Sequence, residues 1–174
     1  MATPCPDGIS DADAAPRSGY RGHASPASLI ILAALLLLAL SGHLGGRPNP
    51  VQVAENDAVR IEIKTPARLR NGMIFETIIR ITPKRPVKAL TLAISPSFWR
   101  DVTVNNMVPA ADKEEMQAGF FRFTYGAAQA GKPVEIKIDG QINPPLLAGI
   151  EGEVAVYDGD VRLAGLMTTM RVYP

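Results

Sequence analysis

In the segment Val134-Glu135-Ile136-Lys137-Ile138-Asp139, apolar and charged side chains alternate strictly. Successive side chains of a β-strand point to opposite faces, so this alternation predicts a strand with one buried face and one wet face. The same pattern recurs at Val59–Lys64 and at Phe75–Ile81. Apolar runs predict further strands at Leu90–Ile94, Val102–Val104, Phe121–Tyr125, Val154–Val156 and Val161–Tyr173.

Turn signals separate these runs. Asn71-Gly72 and Asp158-Gly159 accept positive φ at low cost, and each predicts a tight turn between antiparallel strands. Beyond Leu44 the best helical candidate is Ala110–Ala118, which would form one short surface turn. Seven to eight short, regularly punctuated strands predict an all-β fold, an antiparallel immunoglobulin-like β-sandwich. A closed barrel is the alternative.

A second feature is an apolar segment without any fixed charge, from Ala27 to Leu44. A helix that is apolar on every face needs either a large protein or a lipid environment around it, which predicts one transmembrane helix over residues 28–44. Arg17 and Arg21 precede the segment, whereas Arg47 alone follows it closely. This bias predicts a cytoplasmic N-terminus and an extracytoplasmic C-terminal domain, in a single-pass protein of the cell inner membrane.

The resulting domain organisation has four parts. Residues 1–27 are rich in proline and small residues and are predicted to be a disordered cytoplasmic arm. The predicted transmembrane helix is expected to act as a signal anchor. A linker is predicted at residues 45–52, and the β-domain at residues 53–174. The alternative is a cleaved signal peptide with Ala39-Leu40-Ser41 as its cleavage site, and both interpretations export the domain.

Charge and cysteine content exclude several classes of function. The chain has 18 basic and 17 acidic side chains, which are not clustered into a basic stripe, so we expect no nucleic-acid binding. Cys5 is the only cysteine, which excludes an intrachain disulfide. No cysteine follows the apolar run, so a lipid-modified cysteine anchor is excluded as well.

Catalytic side chains are scarce in the predicted domain. The two histidines, His23 and His43, lie in the arm and the apolar segment, so no histidine-assisted nucleophile can form in the domain. We therefore predict that the chain is not an enzyme and has neither catalytic residues nor a cofactor. The alternative is an enzyme that works with carboxylates alone.

Asp158 and Asp160 flank Gly159 and are the candidate metal ligands, since calcium prefers carboxylate oxygens. The simpler interpretation is that this segment forms a hairpin turn. Thioether copper binding by Met167 and Met170 is opposed by strand geometry, because residues three apart on a strand point to opposite faces.

Four residues are candidates for contact with a partner. Trp99 and Arg100 lie next to each other, and both residue types are enriched at interface centres. The alternative for Trp99 is a place in the sandwich core. Leu146 and Leu147 follow two prolines in a predicted loop, where their apolar side chains need either burial or a partner.

The segment Ala130–Ile138, which follows the aromatic strand Phe121-Arg122-Phe123, resembles exported bacterial immunoglobulin-like modules. The whole chain resembles uncharacterised bacterial single-pass membrane proteins with one such exported domain, and this resemblance implies architecture only. Together with the missing catalytic groups, it favours a membrane-anchored extracytoplasmic binding or assembly module that contacts another membrane or periplasmic protein. The alternative is an exported metal or small-ligand binding protein, released after signal-peptide cleavage.

Overall fold

The computed structural model describes residue 8 and residues 25–43, 47–144 and 149–174. The chain divides into two compact units, residues 1–44 and residues 45–174, and each is described by itself. The predicted cytoplasmic arm lies almost entirely outside the described residues, as do Leu146 and Leu147.

The first unit contains the helix α1 (Pro26–Leu40). Proline suits the first turn of a helix because its φ is already helical and it lacks only an N–H that would be unpaired there. The large apolar side chains of α1 are 47–82% exposed, and none of its residues is buried. The helix ends before Gly42, whose φ of +67° is left-handed, so its bounds differ from the predicted 28–44. Within the described part of the chain, no helix combines the length and apolar character that crossing a membrane requires.

The second unit is built from strands and one short 3₁₀ helix, Pro96–Trp99. The strands are β1 (Val51–Glu55), β2 (Val59–Lys64), β3 (Arg68–Arg70), β4 (Ile74–Pro83), β5 (Leu90–Ile94), β6 (Val102–Val108), β7 (Lys113–Gln117), β8 (Phe120–Thr124), β9 (Val134–Ile142), β10 (Ile150–Asp158) and β11 (Val161–Tyr173).

These strands form two sheets, with the orders β1-β2-β4-β9-β6 and β3-β11-β10-β5-β8-β7. Neighbouring strands are antiparallel except β3 and β11, which run parallel. The core between the sheets consists of the alternating side chains of each strand, and Ile61, Ile79 and Ile136 are fully buried in it. Burying one such side chain contributes about 1.5–3 kcal/mol. The two-layer sandwich is thus confirmed and the closed barrel is wrong, whereas the immunoglobulin-like subtype stays a prediction.

The structure contains more strands than the predicted seven to eight. β1, β3 and β7 were not predicted, and the first strand begins at Val51 rather than within a domain starting at 53. The expectation of a helical turn at Ala110–Ala118 is wrong, because Lys113–Gln117 pairs with β8 along its whole length. Its residues favour helices in isolation, but pairing with a strand that is already packed outweighs that preference.

The two turn predictions have different outcomes. Gly159 lies in the two-residue turn between β10 and β11, as predicted, with a φ of +57°. Asn71-Gly72 also forms a turn, in which Met73 N donates to Arg70 O at 3.2 Å. That turn connects β3 of one sheet to β4 of the other, so the prediction that it joins paired strands is wrong.

Candidate interaction surfaces

Of the two predicted recognition residues, Trp99 is the last residue of the 3₁₀ helix, and Arg100 follows it directly in an extended conformation. Ser95 anchors the start of this helix to β10, because Ser95 N donates to Glu153 O at 2.9 Å and Glu153 N donates to Ser95 Oγ at 2.8 Å. Phe98 of the same helix is buried and packs closely against Gly152 of β10. This attachment orients the two residues that follow.

Trp99 packs against the aromatic side chains of β8. Its ring centroid lies 5.4 Å from that of Phe121 and 5.5 Å from that of Phe123, the latter in an edge-to-face arrangement. Such pairs contribute about 0.5–1.5 kcal/mol beyond their buried area. Trp99 remains half-buried, so it borders the core and also contributes to the surface, whereas Arg100 is exposed.

Arg100 lines a cleft of about 520 Å³. The other lining residues are Ser97, Gly149, Ile150, Glu151, Thr169, Met170 and Arg171. Two arginines and one glutamate make this cleft positive on balance, which favours an acidic ligand group. The structure therefore brings Arg100 together with Gly149, two residues beyond the predicted Leu147.

The second surface is the open edge of the five-stranded sheet, formed by β6. None of its seven residues is charged, and Val104 and Val108 are 37% and 50% exposed. The pairing of β6 with β9 skips Asn105, which is therefore a bulge. An edge strand presents unpaired backbone N–H and C=O groups to any chain that approaches, and charge on the edge is a common protection against this.

The other edge strands are protected. β7 carries Lys113, Glu114 and Glu115 among its five residues. β3 is only three residues long. The open side of β1 is tied to β11, because Thr168 Oγ1 hydrogen-bonds Gln52 Oε1 at 3.0 Å. Among the described edge strands that are longer than three residues, β6 is thus the one without a charged residue. The Tyr125 hydroxyl donates to Met107 Sδ on β6 at 3.0 Å.

The predicted metal ligands have separate partners. Asp158 Oδ1 accepts hydrogen bonds from the backbone N–H groups of Lys88 and Ala89, at 2.9 and 3.0 Å. Asp160 Oδ1 instead accepts one from Arg122 at 2.9 Å. Within the part of the chain that is described, no group of three potential ligands could hold a metal ion. The metal interpretation of this turn stays a prediction.

Neighbouring cations lower the pKa values of two exposed carboxyls, those of Glu55 and Glu135. Lys84, and secondarily Arg60, hold the pKa of Glu55 below its usual value. Arg80 does the same for the pKa of Glu135. A general acid at neutral pH needs the opposite shift, a raised carboxyl pKa. The prediction that the chain is not an enzyme stays a prediction.

No protein-family model matches this sequence, and no curated protein sequence matches it significantly. Solved structures with a similar fold include a cohesin module of a family 33 glycoside hydrolase from Clostridium perfringens. It is 15% identical, covers 67% of this chain and 98% of its own, and has a TM-score of 0.43. A CARDB domain from Pyrococcus furiosus is 11% identical, covers 68% and 97%, and also scores 0.43. At these identities and scores the likeness says nothing about what this chain binds.

Proposed function

We propose that this chain is a binding or assembly module whose β-domain receives an extended segment of another protein along β6. The observation that carries the proposal is the absence of charge on this edge, where β7 carries three charges. Strand addition obtains affinity from main-chain hydrogen bonds and specificity from alternate side chains. Val104 and Val108 provide apolar contacts of the kind such a segment needs.

The position of the cleft supports the same proposal. Arg100 and Asp101 lead directly into Val102, the first residue of β6, so the cleft lies beside one end of the open edge. A partner strand that runs along β6 can place its next residues in the cleft. The two arginines there favour an acidic group at that end of the partner segment.

The test compares two exposed apolar residues on the two kinds of edge. Val108 on β6 is 50% exposed and Met116 on β7 is 57% exposed. A photoreactive phenylalanine analogue at position 108 of the full chain should yield a discrete adduct with one other protein in cells, and the same analogue at position 116 should not. Val108→Lys should abolish that complex, and Met116→Lys should leave it intact. Equal labelling at both positions, or an adduct with a second copy of the chain, would contradict the proposal.

We also propose that α1 associates this module with the cell inner membrane, with the N-terminus cytoplasmic and the β-domain extracytoplasmic. What supports this is that every large apolar side chain of α1 is exposed and that no fixed charge occurs between Ala27 and Leu44. Fifteen residues of helix measure about 22 Å, so full insertion also needs the uncharged residues that follow, or a thinned bilayer.

Alkaline extraction of membranes from cells that produce the full chain tests this second proposal. The chain should stay in the pellet, and Leu35→Arg should release it, because arginine at a helix centre opposes insertion by about 2.5–3.5 kcal/mol. Val161→Arg, at an exposed apolar site of the β-domain, is the control and should not release it. A soluble chain shortened by about 41 residues would contradict anchoring and support the cleaved alternative.

A further inference from the structure

Arg122 is a buried arginine on the outer face of the six-stranded sheet. It alternates with Phe121 and Phe123, whose side chains face Trp99, so its own side chain points away from the core. Its cross-strand neighbour on β5 is Ala93, which leaves room for the guanidinium. Only 7% of the Arg122 side chain is exposed. A charged side chain this buried requires partners.

Neutral groups hold the guanidinium in place. Arg122 Nη1 donates to Gln117 Oε1, and Nη2 donates to the backbone oxygen of Gly159. Its Cζ lies 4.9 Å from the centroid of the Tyr157 ring, in cation–π contact. The two hairpin turns, β7–β8 and β10–β11, thus supply neutral partners for this cation. The Arg122 Nε atom is buried and has no hydrogen-bond partner in the structure.

The ion pair formed by Arg122 is strongly asymmetric. Its carboxylate partner is Asp160, at 2.9 Å from Nη1, and the Asp160 side chain is 83% exposed. An exposed carboxylate loses little when it turns into water, since such pairs contribute only about 0–1 kcal/mol. The buried guanidinium cannot follow, because Gln117, Gly159 and Tyr157 retain it.

A cavity of about 230 Å³ adjoins this guanidinium. Its walls are Ala93, Gln117, Ala118, Phe120, Tyr157 and Asp160. Because one water occupies about 30 Å³ of the liquid, the volume suits a carboxylate with a short apolar stem rather than a large ligand. Phe120 and Tyr157 offer apolar walls to that stem, and the small side chains of Ala93 and Ala118 leave the space open.

We propose that this cavity is a carboxylate-binding site in which an acidic side chain of a partner polypeptide takes the place of Asp160 on Arg122. Without a ligand, the Asp160 carboxylate pairs with the buried guanidinium. The site is formed by the turns of β7–β8 and β10–β11 and does not depend on strand addition at β6.

Removal of the Asp160 carboxylate tests the proposal directly. The probes are N-acetylglutamate amide, whose side chain is its only carboxylate, and the uncharged N-acetylglutamine amide, each titrated into the full chain and into Asp160→Ala at constant ionic strength. N-acetylglutamate amide should bind Asp160→Ala at least about threefold more tightly than the native chain, because it no longer competes with the Asp160 carboxylate for Arg122. N-acetylglutamine amide should bind neither. Glu135→Ala, which frees the exposed Arg80 in the same way, should gain no binding.

Two further measurements distinguish a ligand site from an ion pair that only holds the two hairpins together. The Arg122 Nε–H resonance of Asp160→Ala should shift saturably when N-acetylglutamate amide is added. This measurement leaves the arginine itself unsubstituted. Arg122→Gln combined with Asp160→Ala should abolish binding. No saturable shift in Asp160→Ala, or equal binding by the combined variant, would show that Arg122 and Asp160 only hold the two hairpins together.

Discussion

Replacement of Gly152 by alanine should loosen the 3₁₀ helix that positions Trp99 and Arg100. Gly152 lies in β10 with its α-carbon against that helix. A Cβ added there would stand 2.6 Å from Phe98 N and 2.5 Å from Ser95 Oγ, and closer still to Phe98 Cβ. Because a backbone atom and a Cβ cannot rotate away, the helix itself must move.

The magnitude follows from two opposing effects. Overpacking a site that cannot yield costs about 1–3 kcal/mol. Replacing glycine by alanine also restricts the unfolded chain, which stabilises the fold by about 0.4–1 kcal/mol where the backbone conformation allows alanine. Gly152→Ala should therefore lower the free energy of unfolding by about 1–2 kcal/mol.

Gly165→Ala is the matched control on the neighbouring strand. Its added Cβ would meet Arg162 Nη2 at 2.7 Å and Glu153 Oε1 at 2.9 Å, which are the ends of flexible side chains, and Ala155 Cβ at 3.1 Å. The flexible ends can move aside, the exposed ion pair between them contributes little, and the contact with Ala155 needs a shift of only a few tenths of an ångström. The control should lose less than about 1 kcal/mol.

Trp99 is the only tryptophan, so its fluorescence reports directly on the 3₁₀ helix. Gly152→Ala should shift the emission of the folded protein to longer wavelength, because the indole moves away from Phe121 and Phe123 into water. Gly165→Ala should not change it. Native-like stability and emission in Gly152→Ala would refute the rigid placement of the 3₁₀ helix that the interaction surfaces require.

Three further outcomes follow from the polar groups of the β-domain. Thr65→Val should lower the free energy of unfolding in urea by about 1–3 kcal/mol, because the buried Thr77 hydroxyl, 2.7 Å away, loses its hydrogen-bond partner. The double variant with Thr77→Val should be destabilised less than the single variant, because it leaves no hydroxyl unpaired. Because the pKa values of Glu55 and Glu135 are lowered, their ion pairs stabilise the fold above the usual carboxyl pKa, and this stabilisation is lost as the pH falls through the lowered value. Glu135→Gln should therefore reduce the dependence of the free energy of unfolding on pH at acid pH. Burial, and secondarily the charge of Glu114, raises the pKa of Tyr125 to about 12. The stability that the protonated phenol contributes is therefore complete below the unfolded pKa of 10.0 and is lost towards pH 12. Ultraviolet titration should show one phenol that ionises near pH 12, and Tyr125→Phe should remove it.

Alternation in the sequence predicted the strands whose two faces differ. In β9 the residues Ile136 and Ile138 are buried and Lys137 is exposed, as the pattern requires. Strand β7 has no such signal, because Lys-Glu-Glu-Met-Gln is polar on both faces and becomes a strand only by pairing with β8. Asn71-Gly72 predicted a turn correctly but not its partners, since a dipeptide determines local φ and ψ and not which sheet receives the next strand.

The candidate sites were less predictable because they depend on contacts between distant segments. Arg122 could be placed on an outward face from the sequence, but its burial arises from Tyr157 and Gly159, which lie more than thirty residues away. Asp160 was a candidate metal ligand on spacing alone, and its ion pair with Arg122 could not be predicted from that spacing. Arg100 was predicted as an interaction residue, and the cleft around it supports that role without testing it.

The four edges of the sandwich differ in what prevents a foreign strand from pairing with them. Charge protects β7, shortness limits β3, and a hydrogen bond to β11 ties β1, whereas β6 has no charged residue and carries a bulge at Asn105. A bulge divides an edge into two segments and twists the strand locally. A partner strand that runs from Val108 to the cleft beside Val102 must therefore pair on both sides of the bulge and follow its twist. Because the bulge interrupts the ladder of main-chain hydrogen bonds, contacts at the Arg100 cleft are needed to make binding specific.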